Sequence, residues 1–152
     1  FNTSRWEGLP DRHLHAVDLT PGAPVVSLPG LTVTATPVDH PVPTIGLRFQ
    51  TDDVVVAYSC DTAPTKHVVD LAQDADLLIH EATGALPGVH SSPEEAAAIA
   101  AEAGVQRLIL VHAPAGLLPL DAARATFPAT TWGADGDRVA VSAAVRQPEP
   151  SR

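Results

Sequence analysis

Val54-Val-Val-Ala-Tyr-Ser-Cys-Asp-Thr62, Asp76-Leu-Leu-Ile-His-Glu-Ala-Thr83, His90-Ser-Ser-Pro-Glu-Glu-Ala-Ala97 and Leu108-Ile-Leu-Val-His112 together decide how this chain folds. Three of these pieces are short aliphatic runs that stop at an acid or an imidazole. Continuous runs of Val, Ile and Leu are the signature of parallel strands buried on both faces, and ligands in open α/β sheets collect beyond the carboxyl ends of such strands. A site is therefore expected where Asp61, Glu81, His90 and His112 fall.

The stretches on either side fit the same plan. Leu31 to Pro37 alternates apolar residues with Thr, the period-two pattern of a half-buried strand. It stops before Asp39-His40, and Pro41 and Pro43 cannot continue a central strand. Ile45 to Gln50 and Val54 to Ser59 read as a hairpin about Thr51-Asp52-Asp53. Thr65 to Gln73 carries a helical pattern after Pro64. Ser92-Pro-Glu-Glu is a helix start with an N-cap, an early proline and acids in the first turn, and Gly104 marks that helix's end. Asp121 to Thr126 reads as a short helix and Arg138 to Val145 as a closing strand. The tail from Gln147, with Pro148 and Pro150, is expected to fray.

The motif set resembles the second half of ribonuclease Z and its relatives in the metallo-β-lactamase superfamily. Ser-Cys-Asp-Thr, His-Glu-Ala-Thr, His-Ser-Ser and Leu-Ile-Leu-Val-His match in order and spacing, and Val33 to Arg48 matches a segment that carries a further metal-binding histidine. The fold this implies is α/β: half or more of an αββα sandwich, a mixed sheet with flanking helices. It also implies a dinuclear Zn²⁺ hydrolase of esters or phosphodiesters, with His40 on one metal, His112 on the other, Asp61 between them, and His90 as acid to the leaving oxygen, oriented by Glu81.

Read from the residues alone, each of these has a second meaning. His40, His80 and His112 are also what a hydrogen-bonded structural histidine at a strand end looks like. Asp61 is also an N-cap for the following helix, and His90 a cap or surface residue. Cys60 stands where the resembling enzymes usually have a small residue, often glycine, and reads as packing; His67 reads as solvated surface. His13-Leu14-His15-Ala16-Val17-Asp18 imitates the family's first metal motif, but its acid comes three residues after the second histidine and no third histidine follows.

Composition narrows the partners. At 152 residues the chain is long enough for one domain with a core, and 45% hydrophobic but only 4% aromatic residues suit tightly packed α/β layers. A formal charge of −9 with no basic stripe speaks against a polyphosphate partner. In ribonuclease Z proper a protruding arm grips transfer RNA, and here the corresponding link is only a turn, so transfer RNA is not the expected substrate. One cysteine excludes an internal disulfide, and no apolar run is long enough to span a membrane, which suggests a cytoplasmic chain. Phe1 as first residue, the absence of methionine and the absence of the His-x-His-x-Asp-His motif lead to the expectation of an incomplete domain. Its expected partner is the missing half or a second copy of itself. The competing reading is a noncatalytic half-domain that binds without turning over.

Overall fold

The computed structural model describes residues 19–113 and 116–142. The His13 to Asp18 imitation and the tail from Gln147 lie outside them. Within them lie seven strands: β1 (Pro24–Leu28), β2 (Leu31–Pro37), β3 (Ile45–Gln50), β4 (Val55–Tyr58), β5 (Leu77–Glu81), β6 (Leu108–Val111) and β7 (Thr130–Trp132). Three helices, α1 (Lys66–Ala72), α2 (Pro93–Glu102) and α3 (Asp121–Thr126), connect the later strands.

All seven strands form one sheet in sequence order. β1 to β4 pair antiparallel through short turns, and β4 to β7 pair parallel. Parallel neighbours require crossovers, and crossovers are right-handed. Because the strand order never reverses, α1, α2 and α3 must lie on one face of the sheet. The core sits there: Val55, Ala57, Leu78, Leu108 and Leu110 meet Val68 of α1 and the alanines of α2 and α3. Alanine dominates because the helices approach closely. An added Cβ on Gly46 would come within 2.6 Å of Leu71 Cδ2, so α1 fits against β3 only because position 46 has no side chain.

Among the described residues, the opposite face receives no helix. Alternation along the strands turns Leu47, Phe49, Val56, Ile79, Ile109 and Val111 that way, and Phe49 is still 36% exposed. Leu77, Ile79, Ile109 and Val111 line a cavity of about 490 Å³ there, closed on one side by residues of the 133–139 loop.

Helix starts follow their expected chemistry. Ser92 and Glu95 form a reciprocal capping box at α2, with Pro93 at the first helical position. Gly104 follows α2 with φ +68, a left-handed turn that favours glycine. The cap of α1 is Thr65, whose side chain accepts from His67 N. Asp61 is therefore not a helix cap, and its carboxylate is left for another use.

The closing strand differs from expectation. Among the described residues the last strand is β7, and residues 138–142 are not strand, residues 143–145 lying outside the described ones. Ala134 N donates to Asp137 Oδ2 and Asp137 N to Ala134 O, a closed turn that ends pairing before Arg138 is reached. Arg107 then holds the passing chain by donating to Ala140 O.

His80 is fully buried on the helix side, where Nδ1 donates to Glu81 O at 2.6 Å rather than to a distant loop. Its Nε2 has no hydrogen-bond partner among the described residues. Burial holds its pKa below the ordinary 6.5. The unfolded chain therefore binds a proton more readily than the folded one, and the neutral ring's contribution, complete above pH 6.5, is lost as pH falls below that value. Urea unfolding at pH 8 and pH 5 should show a midpoint difference that narrows in His80→Leu; an equal difference in both proteins would assign the acid sensitivity elsewhere.

Candidate metal centre

Four loops leave the same edge of the sheet, and each brings a group to one place. β2 ends before His40, β4 before Asp61, β5 at Glu81 and β6 before His112, while the loop preceding α2 returns with His90. The parallel register of β4, β5 and β6 aligns their carboxyl ends and so sets these groups side by side.

Two donor groups result. One ligand atom each from His40, Asp61 and His90 lies within 4.8 Å of the others, and so does one each from Glu81, His90 and His112. The rings of His40 and His90 are 5.5 Å apart and those of His90 and His112 5.4 Å. His112 Nδ1 is 3.1 Å from Asp61 Oδ1. All five predicted residues thus gather at one site, and His90 lies within ligand reach of both groups rather than only beside Glu81. Imidazole nitrogen with carboxylate oxygen is a donor set suited to zinc and similar divalent ions, and the residues present fit such a cation.

Glu81 is the centre of the hydrogen bonding. Its side chain is 1% exposed, and its carboxylate accepts from Ser91 N at 2.8 Å, Thr83 N at 2.9 Å and Thr62 N at 3.4 Å, while His90 Nδ1 lies 3.2 Å away. A buried carboxylate needs such donors to stay ionised. Two loops, the one after β4 and the one between β5 and α2, are fixed through this one group. The hydroxyls of Thr62 and Ser91, both fully buried, extend the net: Ser91 Oγ donates to Thr62 O at 2.8 Å, and Thr62 Oγ1 lies 3.3 Å from Asp39 O. Ala63 N also donates to Asp39 O, so the His40 loop is tied to the Asp61 loop. The His40 ring is held on its Nδ1 side by Thr44 Oγ1 at 3.3 Å.

Thr62, Thr83 and Ser91 were not visible as site residues in the sequence. The available signal was a hydroxyl one or two positions from Asp61, Glu81 and His90.

Two non-glycine residues at the site have left-handed backbone, Cys60 with φ 54 and His112 with φ 55. Such a conformation costs about 1–3 kcal/mol and persists where surrounding bonds impose it. At Cys60 a glycine would adopt this conformation without that cost. Burial pushes the Cys60 thiol up, a hydrogen bond from Tyr58 opposes this and the Asp61 charge adds to it, so the thiol stays protonated and is a poor ligand. His67 is mostly exposed, 3.4 Å from Asp39 Oδ1. Among the described residues, no helix is long and apolar enough to cross a membrane.

The chain is 41% identical over 107 residues to ribonuclease Z of Methanothermobacter thermautotrophicus, a match covering 63% of this chain and 35% of that protein. It is 38% identical over 104 residues to ribonuclease Z of Ignicoccus hospitalis, covering 61% and 35%. The chain spans about a third of the length of these curated relatives. The crystal structure of the metallo-beta-lactamase fold protein YhfI from Bacillus subtilis superposes with a TM-score of 0.66 at 26% identity, over 82% of this chain and 52% of that one. The family model for the beta-lactamase superfamily domain matches residues 3–113, well over half of the sequence. With that match resting on the same strands and strand-end loops that assemble the histidines and carboxylates, the chain belongs to the beta-lactamase superfamily.

Proposed function

We propose that the full-length protein is a metal-dependent hydrolase of small esters or phosphodiesters, and that this chain carries the second half of its site. The observation that supports this most is the convergence of His40, Asp61, His90 and His112 beside a buried Glu81. His40, Asp61 and His112 would hold Zn²⁺ or a similar ion, two ions in the whole protein. Loaded, such a site supplies Lewis-acid polarisation of the scissile bond and activation of water near neutral pH.

The chain's own part is positioning and proton transfer. Asp61 and His112 are 42% and 48% exposed at the side chain, open to a ligand, while Glu81 and His90 are covered. With Glu81 accepting at Nδ1, His90 is oriented so that its other nitrogen can protonate a leaving oxygen.

A small substrate fits the charges better than a nucleic acid. Four cations are engaged away from the site: Arg48 donates to the carbonyls of Leu71 and Gln73, Lys66 pairs with Asp70, Arg107 donates to Ala140 O and Arg124 donates to Thr130 O. The link between β3 and β4 is a turn in which Thr51 and Val54 bond to each other.

The test is an assay of full-length protein on bis(nitrophenyl) phosphate, a nitrophenyl ester and a transfer-RNA precursor, before and after chelation and metal return. Hydrolysis of a small substrate that disappears with chelation and returns with Zn²⁺ or Mn²⁺ is expected. Stoichiometric metal with no turnover of any substrate would leave a binding module; turnover confined to the RNA would overturn the small-substrate reading.

A further inference from the structure

His112 keeps a backbone conformation that is uncommon for any residue with a side chain. It is a non-glycine residue at φ 55, immediately after β6, and its side chain is half exposed. Extended backbone is the commoner state at a strand end, and leaving the left-handed region would change where the ring points. Something outside β6 must hold it.

Thr83 contacts His112 twice. Its Oγ1 donates to His112 O at 2.9 Å and lies 3.1 Å from His112 Nδ1. The hydroxyl has one proton, and the carbonyl can only accept, so that proton goes to His112 O. Toward the ring the oxygen is then an acceptor, and Nδ1 carries the hydrogen. Asp61 Oδ1 is equally close to Nδ1, but of the two only Thr83 Oγ1 meets it with hydrogen-bond geometry.

Resting on the metal-site reading above, we infer that Thr83 is a positioning residue whose hydroxyl locks the left-handed backbone of His112 and occupies its Nδ1, leaving Nε2 and the Asp61 carboxylate free for a cation. Without the hydroxyl, Nδ1–H has Asp61 as its nearest remaining acceptor, and the two candidate ligands neutralise each other. Partners of this kind, which orient a metal-binding histidine through its other nitrogen, are typically worth about 10- to 100-fold in affinity or activity. Thr83 is suited to it because its own N–H is anchored on Glu81 Oε2 at 2.9 Å. The rigid base of the site thereby extends from the Glu81–His90 pair to His112.

Thr83→Val keeps the branched shape and the N–H to Glu81 and removes only the hydroxyl; Thr83→Ser restores it. In the full-length protein, Zn²⁺ affinity by chelator competition should fall about 10- to 100-fold in Thr83→Val and return in Thr83→Ser. Crystals of the metal-free proteins supply a second readout: in Thr83→Val, His112 should leave the left-handed region or close its ring on Asp61, and in Thr83→Ser it should not. An unmoved His112 in Thr83→Val, or unchanged affinity, would overturn the inference. Failure of the wild type to bind metal would instead overturn the metal-site reading, with the His112 geometry still deciding the role of Thr83.

Discussion

His90→Ala in the full-length protein is expected to retain its metal yet lose about 10²–10⁴ in rate on a diester with an alkyl leaving group, and much less on a nitrophenyl ester. The asymmetry follows from the role. An alkoxide is a poor leaving group and needs a proton as the bond breaks; nitrophenolate leaves without one. Glu81 Oε1, 3.2 Å from His90 Nδ1, holds the ring and leaves its far nitrogen for the leaving oxygen. His112→Ala should instead lose metal and fail on both substrates. Metal analysis matters because His90 also lies within ligand reach of both donor groups. Metal lost from His90→Ala would make His90 a ligand; equal losses on both leaving groups with metal retained would make it a substrate-positioning group.

Glu81→Ala should have the largest effect on stability of any change at the site. Removing this carboxylate leaves the N–H groups of Thr62, Thr83 and Ser91 without their acceptor, in a place where Thr62 and Ser91 are fully buried. Each unsatisfied buried donor costs about 1–3 kcal/mol, with partial relief from water entering the space. A loss of about 3–5 kcal/mol is expected, as for breaking a buried charged network by removing one partner. Urea unfolding of the full-length variant measures it. Glu81→Gln, which keeps one acceptor oxygen, should fall between. A loss below about 1 kcal/mol for Glu81→Ala would mean that the loops are held by their own packing and that Glu81 serves only His90.

Much of the chain was legible because its strands and helices announce themselves locally. β2 and β3 coincide with the expected bounds, since alternation in one and turn residues around the other are local signals. Ser92, Pro93 and Glu95 specified the start of α2 by side-chain chemistry within four residues. The end of the chain was misread for a related reason. Thr130 to Trp132 is too short to show a period, while residues 138–142 look like the start of a strand but follow a turn that had already ended pairing.

The sequence by itself determined which residues meet at the candidate site: His40, Asp61, Glu81 and His112 stand at the ends of apolar runs that must be buried, where polar residues are kept only with a partner, and His90 stands just before the capped start of α2. Only the tertiary structure decided how they are held. Thr62, Thr83 and Ser91 serve Glu81 through backbone N–H groups, which every residue except proline possesses, so no residue type marks them. The left-handed turn at His112 likewise depends on a hydroxyl 29 positions away on a neighbouring loop. Parallel strand order brings these loops to one edge, and contacts of that range exist only once the sheet has formed.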